Sequence, residues 1–310
     1  MIQMQHSNRT VGERSSARAC RICQHSDQAR ERFDQPVAMF RCAHCGCVQI
    51  DELPGEATLA AFYGRAYLDK YTAGMSPKRF SREMPRRHAA KLDLVQRMAR
   101  PTTLLDVGCG EGDFLAQAVQ RGVRAQGCDF GLRSEYPPGV SVTSGNIDQR
   151  LPFADESFDV VTCWAVLEHL REPHHAVREI FRVLRPGGYT FWDTPLADDW
   201  CERLVSARSH WFCPPEHLHV FSARGLRHLA ESAQFEVTFQ SPFHERNLMR
   251  FFARRLRNLA VGVVCGGAVR IAAPSRWRAM RLNRVTPIGD IQLLVARKPA
   301  ALLPNISGTN

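Results

Sequence analysis

One short segment constrains this chain more than any other: Leu104-Leu105-Asp106-Val107-Gly108-Cys109-Gly110-Glu111-Gly112. An apolar run ends in three glycines at alternate positions, and a helical pattern, Phe114 to Val119, follows. Glycines there permit a tight turn and let the backbone approach a ligand closely. The helix N-terminus behind them offers free N–H groups to a carboxylate or phosphate. Asp129 lies seventeen residues past Gly112, at the end of the next candidate strand, Val123 to Asp129. A carboxylate placed there can accept both hydroxyls of a ribose. The pair implies a nucleoside-containing cofactor; the plain alternative is a glycine-rich strand-to-helix turn. The spacing is Gly-x-Gly-x-Gly, not the Gly-x-Gly-x-x-Gly of a nicotinamide fingerprint.

The rest of the pattern keeps alternating. Candidate strands fall at Val140 to Thr143, Phe158 to Ala165, Tyr189 to Asp193, Phe235 to Gln240 and Asp290 to Arg297. Candidate helices fall at Met84 to Ala99, Pro173 to Leu184 and Ala223 to Ser232. Strands alternating with helices predict an α/β fold with a mainly parallel sheet. A hydrophobic fraction of 44% excludes a mostly disordered or fibrous chain. There is no apolar run of about 18 residues for a membrane span. The polar stretch from Met1 to Cys20 lacks the apolar core of a secretory signal, so a cytoplasmic location is expected.

The glycine loop, with Asp106 just before it, resembles that of the class I S-adenosylmethionine-dependent methyltransferases. Leu151-Pro152-Phe153 and Ser157-Phe158-Asp159-Val160-Val161 resemble that family's fourth-strand region, with Leu167-Glu168-His169-Leu170 after it. Arg182-Val183-Leu184-Arg185-Pro186-Gly187-Gly188 resembles its turn before the fifth strand. The resemblance covers about residues 85–245 and the final strand. It implies a Rossmann-like sheet that binds S-adenosylmethionine. Asp106, Gly108, Gly110 and Gly112 would hold the amino-acid end, and Asp129 the ribose. Asn146 and Ile147 would flank the adenine, with an amide at a position where Asp is common. Trp164 would wall the transfer site or serve as a core aromatic.

Eleven cysteines without a secretory signal argue for metal ligation and buried thiols over disulfides. Cys20-x-x-Cys23 and Cys42-x-x-Cys45-Gly46 stand 18 residues apart. Thiolates two residues apart form a knuckle, and two knuckles close a tetrahedral structural Zn²⁺ site. A redox or iron–sulfur role is the alternative. His25 and His44 are read as bystanders and Cys47 as a decoy ligand. The other six cysteines read as buried small hydrophobes. A zinc ribbon ahead of such a core is similar to bacterial methyltransferases of sugar, polysaccharide and natural-product pathways, including sugar C-methyltransferases. It also resembles one class of ribosomal RNA methyltransferase. The connector carries the aromatic cluster Phe62, Tyr63, Tyr67 and Tyr71.

After the fifth strand, His210-Trp211-Phe212-Cys213-Pro214-Pro215-Glu216-His217-Leu218-His219-Val220-Phe221-Ser222 concentrates titratable and aromatic groups. Open α/β sheets bind ligands at the carboxyl ends of their strands, where this loop should lie. Glu216-His217 match a Tyr-x-Glu-His segment of the sugar C-methyltransferases, in which the histidine is catalytic; Pro214 replaces the tyrosine. His217 is either a general base or acceptor contact, or a loop-ordering hydrogen-bond donor. His219 is expected to pack locally, and Glu168-His169 to orient the wall of the site.

The net charge of +10 has one source. Residues 244–287 hold ten Arg, no Lys, one Glu and no Asp, leaving 31 basic against 30 acidic residues elsewhere. Leu248, Phe252, Leu256, Leu259 and Val263 recur at helical spacing, with Arg250, Arg254 and Arg257 on another face. This basic amphipathic insertion can pack as a lid, lie on an anionic membrane, or meet an anionic substrate or nucleic acid. Its isolation from the ribbon favours a small-molecule or carrier-linked substrate, with peripheral membrane contact, over nucleic acid. The expected organisation is a tail (1–19), ribbon (20–50), connector (51–83), core (84–243 and 288–300), insertion (244–287) and tail (301–310).

Overall fold

The computed structural model describes residues 19–26, 30–33, 38–62, 77–197, 215–241 and 291–300. The basic insertion, the connector tyrosines and the first part of the His210–Ser222 segment lie outside the described residues. At the N-terminal end, β1 (Arg30–Phe33), β2 (Met39–Cys42) and β3 (Val48–Ile50) pair antiparallel in sequence order. A short helix α1 (Glu56–Phe62) follows, then α2 (Pro77–Met98). The helix expected from Met84 starts seven residues earlier, at Pro77. Proline is tolerated at a first helical position, where its missing N–H has no intrahelical role. Pro85 lies inside the helix. Leu92 and Val95 are buried on its inner face.

The core sheet holds β4 (Thr103–Val107), β5 (Arg124–Asp129), β6 (Ser141–Ser144), β7 (Phe158–Trp164), β8 (Leu184–Pro195), β10 (Glu236–Ser241) and β11 (Ile291–Arg297). Between β8 and β10 lies the two-residue β9 (His219–Val220). The seven strands are ordered β10-β11-β8-β7-β4-β5-β6. Six of these strands point the same way, and β11 alone is reversed, pairing antiparallel with both β8 and β10. Helices α3 (Asp113–Gln120), α4 (Pro173–Val183) and α5 (Ala223–Ser232) join them. The chain leaves β4 toward β5 and β6, then returns to β7 on the other side. The strand order therefore reverses between β4 and β7, which opens a crevice at their carboxyl ends.

Each face of the sheet carries an apolar layer. Leu92, Val95, Leu104, Phe114, Leu115, Val160, Phe191 and Val295 fill one. Leu105, Val161, Ile180, Trp192, Leu226 and Phe235 fill the other, and Ile22, Cys45 and Cys47 of the ribbon join that layer. The ribbon is also tied in through its strands: β3 pairs with β9, giving a four-stranded sheet β1-β2-β3-β9. A strand of two residues gave no periodic signal in the sequence, because its partner is 170 residues away in the chain (Gln49↔His219). No helix of the described residues is long and apolar enough to cross a membrane.

Candidate active site and metal centre

The glycine loop takes its shape from backbone conformations that favour glycine. Gly108, Gly110 and Gly112 have φ of 71°, 54° and 78°. A Cβ on Gly108 would run into the Val166 side chain, so the segment just after β7 closes over the loop there. At Gly110 a Cβ would meet nothing within 4 Å, so the space above the loop is open. Gly112 is the N-cap of α3 and offers no side-chain cap to the N–H groups of that first turn. Asp129 faces the loop. Its Oδ2 accepts the Gly110 N–H at 2.9 Å and its Oδ1 the Gly131 N–H at 3.0 Å. A carboxylate offers about four lone-pair sites, so both oxygens keep capacity for ligand hydroxyls.

Asp106 lies beneath the loop and is 3% exposed. Burial pushes its carboxyl up to about 7, with further upward pressure from Asp129 and Asp193; the Thr162 hydroxyl and Lys91 pull the other way. Thr162 Oγ1 donates to Asp106 Oδ1 at 2.6 Å. Lys91, from α2, reaches Asp193 Oδ2 at 2.8 Å and stands 4.4 Å from the centre of the Trp164 ring. The other Asp193 oxygen accepts the Ala165 N–H at 2.8 Å. Trp164 also meets Phe114 edge-on at 5.7 Å, and its buried Nε1 has no partner among the described residues. Lys91 and Thr162 give no motif-level signal; only the packing of α2 and the pairing of β4 with β7 bring them to Asp106.

The two residues assigned to the adenine edge behave differently. Asn146 Oδ1 accepts the Asp148 N–H at 3.0 Å in a local turn. Ile147 is buried against the core. Asp148 in turn accepts the N–H groups of Arg171 and Glu172 at 3.1 and 2.9 Å, holding the entry to α4. Phe130, directly after Asp129, is 61% exposed at the mouth and was not singled out from the sequence. The signal was available: an aromatic directly follows the acidic residue, Asp129, that ends the second candidate strand.

Glu168, His169 and His217 come together, with one polar atom of each within 4.8 Å of the others. Burial pushes the Glu168 carboxyl up to about 8, although its own backbone N–H and the Thr194 hydroxyl oppose the rise. Thr194 Oγ1 donates to Glu168 Oε2 at 2.9 Å. His169 Nδ1–H donates to the Glu216 carbonyl at 2.7 Å, and burial lowers the basicity of that ring. The His169 and His217 rings meet edge-on at 4.9 Å. Glu216 engages this cluster through its backbone carbonyl, its carboxylate charge also favours protonation of His169, and Glu168 supplies the buried carboxyl group. His219 is buried and donates from Nε2 to the Leu170 carbonyl at 3.0 Å; burial pushes it down to about 3, so it is a neutral packing residue.

In the ribbon, Cys20, Cys23, Cys42 and Cys45 place their sulfurs within 4.8 Å of one another. The Cys20–Cys45 and Cys23–Cys42 sulfurs are each 3.7 Å apart. A tetrahedron with Zn–S bonds of about 2.3 Å has edges of about 3.8 Å, so the donor set fits zinc. Both knuckle turns are closed by backbone bonds of 2.8 Å, Gln24 N–H to Cys20 O and Gly46 N–H to Cys42 O. Burial pushes the Cys23 thiol up to about 11, and a bound divalent cation would reverse that by stabilising thiolate. Gln49 Nε2 donates to Cys20 Sγ at 2.9 Å. Cys47 points elsewhere, accepting the Ser222 N–H at 3.3 Å. A separate open groove of about 730 Å³ lies at the amino ends of β4 to β7, away from all these groups.

A family profile described as a methyltransferase domain matches residues 80–240. A protein of Mycolicibacterium smegmatis named as a probable S-adenosylmethionine-dependent methyltransferase is 33% identical over 180 residues, covering 54% of this chain and 66% of that one. A ubiquinone biosynthesis O-methyltransferase of Pseudomonas fluorescens is 37% identical over 103 residues, covering 29% and 43%. The chain therefore spans less than two thirds of these relatives. Among solved structures, the 1,6-didemethyltoxoflavin-N1-methyltransferase of Burkholderia thailandensis aligns with a TM-score of 0.51 at 15% identity, over 87% of this chain and 99% of that one. At that identity the likeness is one of fold.

Proposed function

This chain belongs to the methyltransferase-domain family, and from that premise we propose that it moves a methyl group from S-adenosylmethionine to an oxygen or carbon of a small-molecule, glycan or lipid-linked acceptor. The observation that carries the reading is the open space over Gly110 beside a carboxylate, Asp129, already anchored by the loop's own N–H. Asp129 receives the ribose hydroxyls. The glycine loop and the uncapped first turn of α3 face the carboxylate of the amino-acid end, and Asp106 its ammonium. Phe130 and the Asn146-Ile147 turn border the adenine. The cofactor supplies a methyl group already activated on a sulfonium. The protein's own work is alignment, exclusion of water and proton transfer. His217 takes the proton of the acceptor, with Glu168 as the buried carboxyl partner.

The four ribbon cysteines hold a structural zinc, a closed four-sulfur site with no open position for substrate. Because β3 is engaged by β9, the ribbon serves the core, which favours a small or carrier-linked acceptor over RNA. The relatives named as O-methyltransferases support an oxygen acceptor. The arginine-rich 244–287 segment is the part of the chain suited to an anionic carrier or membrane surface. Calorimetry with S-adenosylhomocysteine tests the cofactor reading. Asp129→Ala should bind about 10- to 100-fold more weakly, the loss of charge-assisted hydrogen bonds to two hydroxyls. Unchanged affinity would remove the site assignment.

A further inference from the structure

We propose that the four-cysteine ribbon is the foundation of the acceptor-side segment His217–Ser222, so that its metal governs the acceptor side of the site and not the cofactor side. This rests on the zinc and methyltransferase readings above. The connection is continuous in hydrogen bonds. β3 pairs with β9, Val48 against Val220 and Gln49 against His219. Ile50 N–H donates to the Leu218 carbonyl at 3.0 Å, one residue from His217. Ser222 Oγ donates to the carbonyl of the ligand Cys45. The far end of the same excursion is held too: Arg41, next to the ligand Cys42, reaches the Ala197 carbonyl at 3.1 Å, and Ala197 N–H reaches the Phe221 carbonyl at 2.8 Å. Met39, Val48, Ala197 and Val220 pack as one buried cluster across this seam.

The dependence runs from metal to segment for a physical reason. A two-residue strand has no stability of its own and needs the strand beside it. A module the size of this ribbon is too small to stand on its own core, so metal binding supplies its folding free energy. Gln49 is the positioning residue of the link. It is fully buried; its Nε2 donates to Cys20 Sγ at 2.9 Å and its Oε1 accepts the Arg21 N–H at 3.0 Å, while its backbone pairs with His219. By contrast, the hydrogen bonds described for Asp106, the glycine loop and Asp129 come from β4, β5, β7 and their own loops.

The test compares the full chain loaded with zinc and after chelation under reducing conditions. Hydrogen exchange is read by mass spectrometry, and S-adenosylhomocysteine affinity by calorimetry. The expected result is exchange at 48–50 and 217–222 faster by about 100-fold or more without zinc, with the Kd for S-adenosylhomocysteine within about threefold. Gln49→Glu keeps the acceptor for Arg21 but loses the donor to Cys20. It should bind zinc about 10- to 100-fold more weakly against a chromophoric chelator. It should also show the same loss of protection at limiting zinc, restored by excess zinc. Unchanged protection at 217–222, cofactor affinity lost in step with protection, or a chain that takes up no zinc would each overturn the proposal. A zinc-loaded chain that binds no S-adenosylhomocysteine would instead overturn the cofactor reading, and the exchange arm alone would then judge the link.

Discussion

Two glycines of one loop carry different duties, and alanine separates them. At Gly108 a methyl group meets Val166 and the backbone is left-handed, so Gly108→Ala should lower stability by about 2–3 kcal/mol in denaturant unfolding. At Gly110 the space is open, so Gly110→Ala should cost only about 1 kcal/mol of stability. Its methyl group projects where the ligand belongs, and S-adenosylhomocysteine binding should suffer more than folding does. Asp106 makes a pH prediction. Its carboxyl sits at about 7 in the free protein because it is buried. A cationic ammonium beside it favours the ionised form, so binding below that pH expels a proton. Affinity should rise by up to about tenfold per unit as pH increases toward 7 and then level off. Asp106→Asn should flatten that profile; a wild-type affinity independent of pH between 5.5 and 7 would contradict it. The two glycines and Asp106 stand out in the sequence, since a glycine spacing and an acidic residue are local signals. Lys91 and Thr162 were not, because their roles depend on what faces them.

At the scale of elements, α2 is fastened to β8 by a largely buried ion pair. Lys91 Nζ lies 2.8 Å from Asp193, whose side chain is only 3% exposed. Removing one partner of such a pair leaves a charge in a poor solvent. Lys91→Met should therefore cost about 3 kcal/mol near neutral pH, measured by chemical denaturation. The core elements were readable because apolar periodicity and glycine punctuation are local. Helix α5 was read at its full extent, Ala223 to Ser232, where Ser222 caps it by accepting the Gly225 N–H at 2.8 Å. The start of α2 was missed, since residues 77–83 hold one large apolar side chain, Phe80, and so carry no apolar stripe. β9 was missed for a different reason: it is a strand only because β3 lies beside it.

For the whole molecule, the sequence by itself determined the α/β alternation, the glycine loop with an acidic residue at the end of the next strand, the cysteine quartet and the confinement of the excess charge to residues 244–287. Each is written in neighbouring residues, as a period, a spacing or a composition, and needs no partner from elsewhere in the chain. Only the tertiary structure decided that the ribbon is not a separate module. The sequence order of ribbon, connector and core suggests beads on a string; the fold inserts the ribbon's edge under the segment that carries His217. It also decided that the carboxyl group beside His217 is that of Glu168, 49 positions upstream, with Glu216 contributing its backbone carbonyl to His169. Such pairings are set by strand order and packing. They join residues whose separation along the chain carries no information about their separation in space.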